Sequence, residues 1–307
     1  MTTFPTLAES TRLHRLQPPT GQVRMVLDTD TYNEIDDQFA LVYALLSPEA
    51  MQVEAIYAAP FFNNRSAGPA DGMEKSYEEI LRLLERMNVS PEGLVFRGST
   101  DYLANAATPQ ESAAARDLVE KAMSSDDPLY VVAIGAITNV ASAILLEPRI
   151  IERIVVVWLG GHALYWPHTR EFNLKQDVPA ARLIFDCGVP VVHLPCAGVT
   201  TLLRTTVPEI EQYVAGRGAI GDYLAETFKS YRDDHMAWSK EVWDMITIAY
   251  LINADWTPSD LVHSPILTDQ VTWSVDQSRH FIRSANFVQR DPIFRDFFLK
   301  LDAFAKG

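Results

Sequence analysis

Five acids stand within ten residues in Asp28-Thr29-Asp30-Thr31-Tyr32-Asn33-Glu34-Ile35-Asp36-Asp37. An apolar, β-branched run precedes them, and Phe39, Ala40, Val42 and Tyr43, spaced as in a helix, follow at once. Carboxylates this crowded repel one another strongly unless something positive compensates them. Part of the pattern has an ordinary explanation, because Asp36 and Asp37 would favour the positive end of a helix dipole. That explanation does not reach Asp28 and Asp30, which close a buried strand. A hard-cation site does, and a set of oxygen ligands suits Ca²⁺ or Mg²⁺ better than zinc.

The elements that must position these acids are read from the apolar pattern. Strands buried on both faces are expected at residues 23–27, 53–57, 130–134, 154–159 and 189–194. Helices are expected at 37–46, 74–87, 112–123, 139–146, 179–185 and 241–251, and a last amphipathic segment at 292–304. Strand and helix in alternation give an α/β fold, an open doubly wound and mostly parallel sheet flanked by helices. Ligands of such sheets sit beyond the carboxyl ends of the strands, so the loops after the strands are the place to seek chemistry. With 307 residues, 48% of them hydrophobic and 21% charged, the chain can bury a large core. No Gly/Ser/Pro-rich linker divides it, and a single domain over 1–307 is expected.

Composition removes several function classes. A net charge of −14 with scattered basic residues repels a phosphate backbone, which argues against nucleic acid. Cys187 and Cys196 are the only cysteines, too few for a disulfide framework, and read as buried reduced thiols. The start, Met1-Thr-Thr-Phe-Pro-Thr-Leu-Ala-Glu9, lacks the basic and apolar stretches of a signal peptide, and the longest apolar runs are too short to span a bilayer. A cytoplasmic protein without membrane attachment is expected.

In its order of motifs the sequence resembles the nucleoside hydrolase family. A strand runs into Asp-x-Asp, a short gap, and Asp-Asp opening a helix. Ala133-Ile134-Gly135-Ala136-Ile137-Thr138-Asn139 resembles the family's Gly-Pro-Leu-Thr-Asn turn, and Gly160-Gly161 with Glu171-Phe172-Asn173 resembles its Gly-Gly and Glu-Phe-Asn pair. Val242-Trp243-Asp244 resembles its late metal-binding Asp. Each match alone is weak, but four in order over residues 23–255 are specific. The resemblance implies a Ca²⁺-dependent N-glycosyl hydrolase that cleaves a ribonucleoside or related small riboside, as a homodimer or homotetramer. Asp30 would contact Ca²⁺ and act as general base, with Asp37, Asp244 and the carbonyl of Ile134 completing the cage. Asp36, Glu171 and Asn173 would grip the sugar hydroxyls.

Several positions depart from the family pattern. Five residues rather than three separate Asp30 from Asp36, so Tyr32, Asn33 or Glu34 could project into the site, and Glu34 could replace a ligand or face solvent. A family Asn after the second strand could be Asn63 or Asn64, in a loop that reads as lengthened through Gly72. Tyr165 and Trp243 stand where relatives carry an Asn and the His that protonates the leaving base. Those aromatics, with Trp166, could stack a flat leaving group or belong to the core. His162 is the nearest candidate acid, since histidine titrates near neutral pH, with His168 and His235 as others. Lys75 reads as one half of a solvated ion pair. Two other readings remain: a sugar or nucleoside binder that has lost turnover, and a haloacid-dehalogenase-type phosphatase, suggested by Asp28-Thr29-Asp30-Thr31.

Overall fold

A computed structural model describes residues 3–307; Met1 and Thr2, part of the start read above for a leader, lie outside them. The chain enters through α1 (Glu9–Arg15) and then alternates β1 (Val23–Thr29), α2 (Ile35–Leu45), β2 (Met51–Ala58), α3 (Pro69–Arg86), β3 (Val95–Arg97) and α4 (Ala113–Met123). It continues through β4 (Leu129–Ala133), α5 (Thr138–Leu146), β5 (Ile154–Leu159), α6 (Phe172–Gln176), α7 (Val178–Asp186) and β6 (Val191–Leu194). A ribbon of β7 (Arg204–Thr206) and β8 (Ser239–Glu241) follows, with α8 (Val207–Tyr213) and α9 (Gly218–Lys229) between its strands. The chain closes with α10 (Met245–Ile252), β9 (Ser259–His263), β10 (Ile266–Leu267), β11 (Trp273–Ser274), β12 (Phe281–Ala285) and α11 (Arg290–Lys306).

Eight strands form the central sheet in the order β3-β2-β1-β4-β5-β6-β12-β9, all neighbours parallel except β12 and β9. β4 and β5 are buried along their whole length, as their unbroken apolar sequences Leu-Tyr-Val-Val-Ala and Ile-Val-Val-Val-Trp-Leu require when helices cover both faces. One core lies between the sheet and α2, α3, α8, α9, α10 and α11, and the other under α4, α5 and α7. α10, Met-Ile-Thr-Ile-Ala-Tyr-Leu-Ile, is apolar on every side and almost wholly buried.

From β1 the chain crosses to β2 on one side, while β4 pairs with β1 on the other, so strand order reverses between β1 and β4. That reversal opens a crevice at the carboxyl ends of these two strands. β1 ends at Asp28-Thr29 and β4 at Ala133, immediately before Ile134.

The expected strands and helices all occur, with shifted ends, and the mostly parallel α/β sheet is as read. The helix expected at 241–251 begins at Met245, because Ser239–Glu241 pair with Arg204–Thr206 as a strand. Pro69 at a helix start places Gly72 within α3, so the loop after β2 ends well before the position read from sequence. β3, β9 and β12, together with α1, α8 and α9, carried too little periodicity to be read from sequence.

Candidate metal and substrate site

Backbone pairing fixes the first acids. Asp28 lies inside β1, and one of its oxygens accepts from Asn139 Nδ2 at 2.7 Å, while Asn139 Oδ1 accepts from Ser99 N (2.7 Å) and Ser99 Oγ (2.8 Å). The second Asp28 oxygen has no partner, and burial raises this carboxyl to about 7. Beyond the strand, Asn33 N donates to the Asp30 carbonyl at 2.6 Å and closes the turn that leads into α2. Asp36 and Asp37 then occupy the first turn of α2, and Asp37 Oδ1 accepts from Thr29 Oγ1 at 2.6 Å.

Asp244 joins them from more than two hundred residues away. It stands immediately before α10, and single carboxylate oxygens of Asp36, Asp37 and Asp244 lie within 4.8 Å of one another. All four acids are buried, Asp30 and Asp37 almost completely. Both oxygens of Asp30, Oδ1 of Asp36 and Oδ1 of Asp244 have no hydrogen-bond partner. Burial first, and then repulsion from neighbouring acids, pushes Asp30, Asp36 and Asp244 well above the usual carboxylate range, and burial carries Asp37 to about 7. Buried polar atoms without partners are costly and rare, and these converge from separate elements. A bound cation would satisfy them, so Asp36, Asp37 and Asp244 could hold a metal ion.

Above the acids lies a cavity of about 260 Å³, lined by Asp36, Asp37, Ile134, His162, Glu171, Asn173, Cys196, Trp243 and Asp244 among others. Asp30 does not line it, but it feels the charges of Asp37, Asp36 and Glu171. Asn173 Nδ2 donates to the carbonyls of Ile134 and Leu159, both at 3.1 Å, which ties the loop after β4 to the end of β5. Glu171 caps α6: its oxygens accept from the backbone N–H groups of Gly161, Asn173 and Leu174 at 2.8–2.9 Å. About four lone-pair directions exist on a carboxylate, so roughly one remains for a ligand hydroxyl. Gly161, at φ +74°, makes the turn that aims its N–H at Glu171.

Some residues singled out from sequence lie elsewhere. Asn63 and Asn64 line an adjoining cavity and not the one over the acids, and the Asn63 amide is occupied by Asn33 Oδ1 and Arg65 N. Glu34 lines both cavities and does not simply face solvent; it pairs with Lys240, a buried lysine. Tyr165 and Trp166 are exposed rather than core. His162 lines the cavity, but burial, and then His168 nearby, lowers it to about 4. Its Nδ1 accepts from Ala197 N at 3.2 Å, so the ring is neutral near pH 7 and does not titrate there as the sequence reading supposed. His235 stacks on Trp238 with Nε2 against the Lys229 carbonyl, and Lys75 pairs with Asp71 at 2.7 Å.

Lys240, Arg65, Tyr231 and Cys196 were missed by the sequence reading. Only Arg65 had a local signal, directly after Asn63-Asn64. A larger concavity, about 970 Å³, lies beside α1 at the opposite end of β1 and carries none of the buried acids.

The family model for inosine-uridine preferring nucleoside hydrolases matches residues 25–290. A probable uridine nucleosidase 2 of Arabidopsis thaliana is 26% identical over 238 residues, covering 69% of this chain and 71% of its own. The pyrimidine-specific ribonucleoside hydrolase RihA of Salmonella typhimurium is 28% identical over 263 residues, covering 75% and 80%. Among solved structures, a purine-preferring ribonucleoside hydrolase from Gardnerella vaginalis shares the fold at a TM-score of 0.74 and 20% identity, over 92% of this chain and 99% of that one. The match leaves the phosphatase reading without support. With a family model spanning most of its length, this chain belongs to the inosine-uridine preferring nucleoside hydrolases and is an N-glycosyl hydrolase.

Proposed function

We propose that the chain, as one domain over residues 1–307, hydrolyses the N-glycosidic bond of a ribonucleoside or related riboside, with Ca²⁺ as its resident cation. The single observation that carries this reading is the convergence of buried Asp36, Asp37 and Asp244 oxygens at one cavity, with partnerless carboxylate oxygens on Asp36, Asp244 and the neighbouring Asp30. Asp30, Asp37, Asp244 and the Ile134 carbonyl would hold the ion. When bound, a hard cation supplies positive charge that orients a water and lowers its pKa.

The rest is done by this chain's own groups. Water's hydroxyl goes to the sugar C1, the C1–N electron pair leaves with the base, and the remaining proton goes to a purine or pyrimidine leaving group, or to solvent where a pyridinium departs as a neutral pyridine. Asp30, fully buried and with neither carboxylate oxygen hydrogen-bonded, is suited to accept the proton of the attacking water. Asp36, Asn173 and the remaining Glu171 lone pair would hold sugar hydroxyls. The surrounding negative charge stabilises an oxocarbenium-like transition state. His162 and Trp243 line the cavity, and His162, lowered to about 4, is no imidazolium acid at neutral pH. Departure therefore depends on the leaving group's own stability.

Free thiols at Cys187 and Cys196 support a cytoplasmic location, and the family resemblance supports a homodimer or homotetramer. The test is sugar release from a panel of purine, pyrimidine and nicotinamide ribosides, with and without Ca²⁺ after chelation. Cation-dependent release is expected. Riboside binding without release would favour the second reading, a binder.

A further inference from the structure

Next to the cavity over the acids is a second one, about 430 Å³, and the two share Asn33, Glu34 and Phe172 as a common wall. Arg65 lines it. Its guanidinium packs against Tyr32 and Tyr231, 4.8 Å and 5.6 Å from the ring centres. Nη1 donates to Tyr231 Oη at 2.8 Å and to the Asn33 carbonyl at 3.3 Å. Lys75 Nζ, 2.8 Å from the Arg65 carbonyl, and Asn63 Oδ1, 2.8 Å from Arg65 N, fix the backbone beneath it. The side chain is thus held on two sides through one nitrogen.

The other edge of the guanidinium is left open. Among the described residues Arg65 makes no ion pair, and neither Nε nor Nη2 makes a hydrogen bond, although Asp and Glu outnumber Lys and Arg by 40 to 26. The nearby acid Glu34 is already paired with Lys240, which is over the same Tyr231 ring at 5.0 Å. The Nε/Nη2 edge carries two parallel N–H groups, the fork that binds an oxyanion bidentately. Holding such a fork open between two aromatic rings, beside a cavity suited to a riboside, costs conformational freedom that a purely structural arginine would recover with a carboxylate.

We infer that the preferred substrate is an anionic riboside, whose oxyanion docks on the Arg65 edge in the second cavity while the glycosidic bond lies over the acids. This rests on the proposed function and narrows its substrate class. The oxyanion could be a phosphate ester on the sugar or a carboxylate on the leaving group, and both present the same paired acceptors. The reaction stays a hydrolysis: water's hydroxyl ends on C1, the C1–N electron pair leaves with the base, and the remaining proton ends on a pyrimidine leaving group or, where a pyridinium departs as a neutral pyridine, in solvent.

The test compares kcat/KM within two pairs: a pyrimidine ribonucleoside 5′-monophosphate against its nucleoside, and a pyridinecarboxylate riboside against the carboxamide. One charge-assisted, bidentate contact is worth about tenfold or more. At least a tenfold preference for one anionic member is expected, and Arg65→Gln should remove it; the pair that shows it identifies the source. No preference in either pair, or a preference that survives Arg65→Gln, overturns the inference, and the wild-type comparison stands even if the variant folds poorly. If no riboside of any kind is cleaved, the proposed function fails separately. Calorimetric titration then decides, because ribose 5-phosphate binding no tighter than ribose, with carboxylate and carboxamide ribosides also equal, overturns this inference alone.

Discussion

Replacing Asp37 by Asn separates the cost of the acid cluster from its use. Two charges at 4.8 Å, the distance within which these carboxylate oxygens lie, repel by roughly 3 kcal/mol at an effective dielectric constant near 20. Binding a proton is a comparable alternative: raising Asp37 from 3.8 to about 7 corresponds to about 4 kcal/mol at neutral pH. Without a cation, then, the ionised cluster destabilises the fold by an amount this substitution relieves. The oxygen of the introduced amide can still accept from Thr29, and its nitrogen gives the neighbouring carboxylate oxygens a donor. Allowing for coupling among the acids, the variant in EDTA at pH 8 should be more stable than the parent by about 2–4 kcal/mol, several degrees in Tm. The sign with pH follows from a folded pKa above the unfolded one. The parent's stability is intact below about pH 4 and is lost as pH rises to about 7, so the advantage of the variant shrinks on acidification. Added Ca²⁺ should raise the Tm of the parent far more than that of the variant, and sugar release should fall at least about 10²-fold. Melting curves in EDTA and in Ca²⁺ at pH 5 and pH 8 provide the measurement. A variant that melts below the parent in EDTA at pH 8, or that gains as much from Ca²⁺, would refute the reasoning.

Three further outcomes follow from the geometry. His162→Gln should lower kcat/KM by less than about tenfold, with no limb near pH 6.5 in the parent profile, because the ring is already neutral there; a large loss with a limb near 6.5 would restore it as the acid. Glu34→Gln leaves Lys240 buried without its carboxylate and should destabilise by about 1–3 kcal/mol; a variant of unchanged Tm would show that the pair contributes nothing. Asn139→Leu strips partners from Ser99, Asp28 and the Ala58 carbonyl, so urea unfolding should show a loss of about 2–4 kcal/mol, and a loss below about 1 kcal/mol would mean the network is dispensable.

What the sequence determined by itself is local or periodic. Unbroken apolar runs became β4 and β5, because a strand covered on both faces favours apolar side chains along its whole length. The crowding of Asp28, Asp30, Asp36 and Asp37 was legible because neighbours along the chain are neighbours in space. Asp244 was legible only through an ordered set of motifs, and the fold then put it within reach of Asp37. Tertiary structure alone decided the remainder. Glu34 meets Lys240 across 206 positions, and Arg65 is clasped by Tyr231 across 166. Glu171 spends two lone pairs on a helix start and a third on Gly161, and burial lowers His162 so that it is neutral near pH 7. Those outcomes depend on which loops meet at the reversal of strand order between β1 and β4, and on how much water the meeting excludes. Neither quantity is written in any short stretch of residues, since pairing partners and dielectric surroundings are set by the whole packed chain.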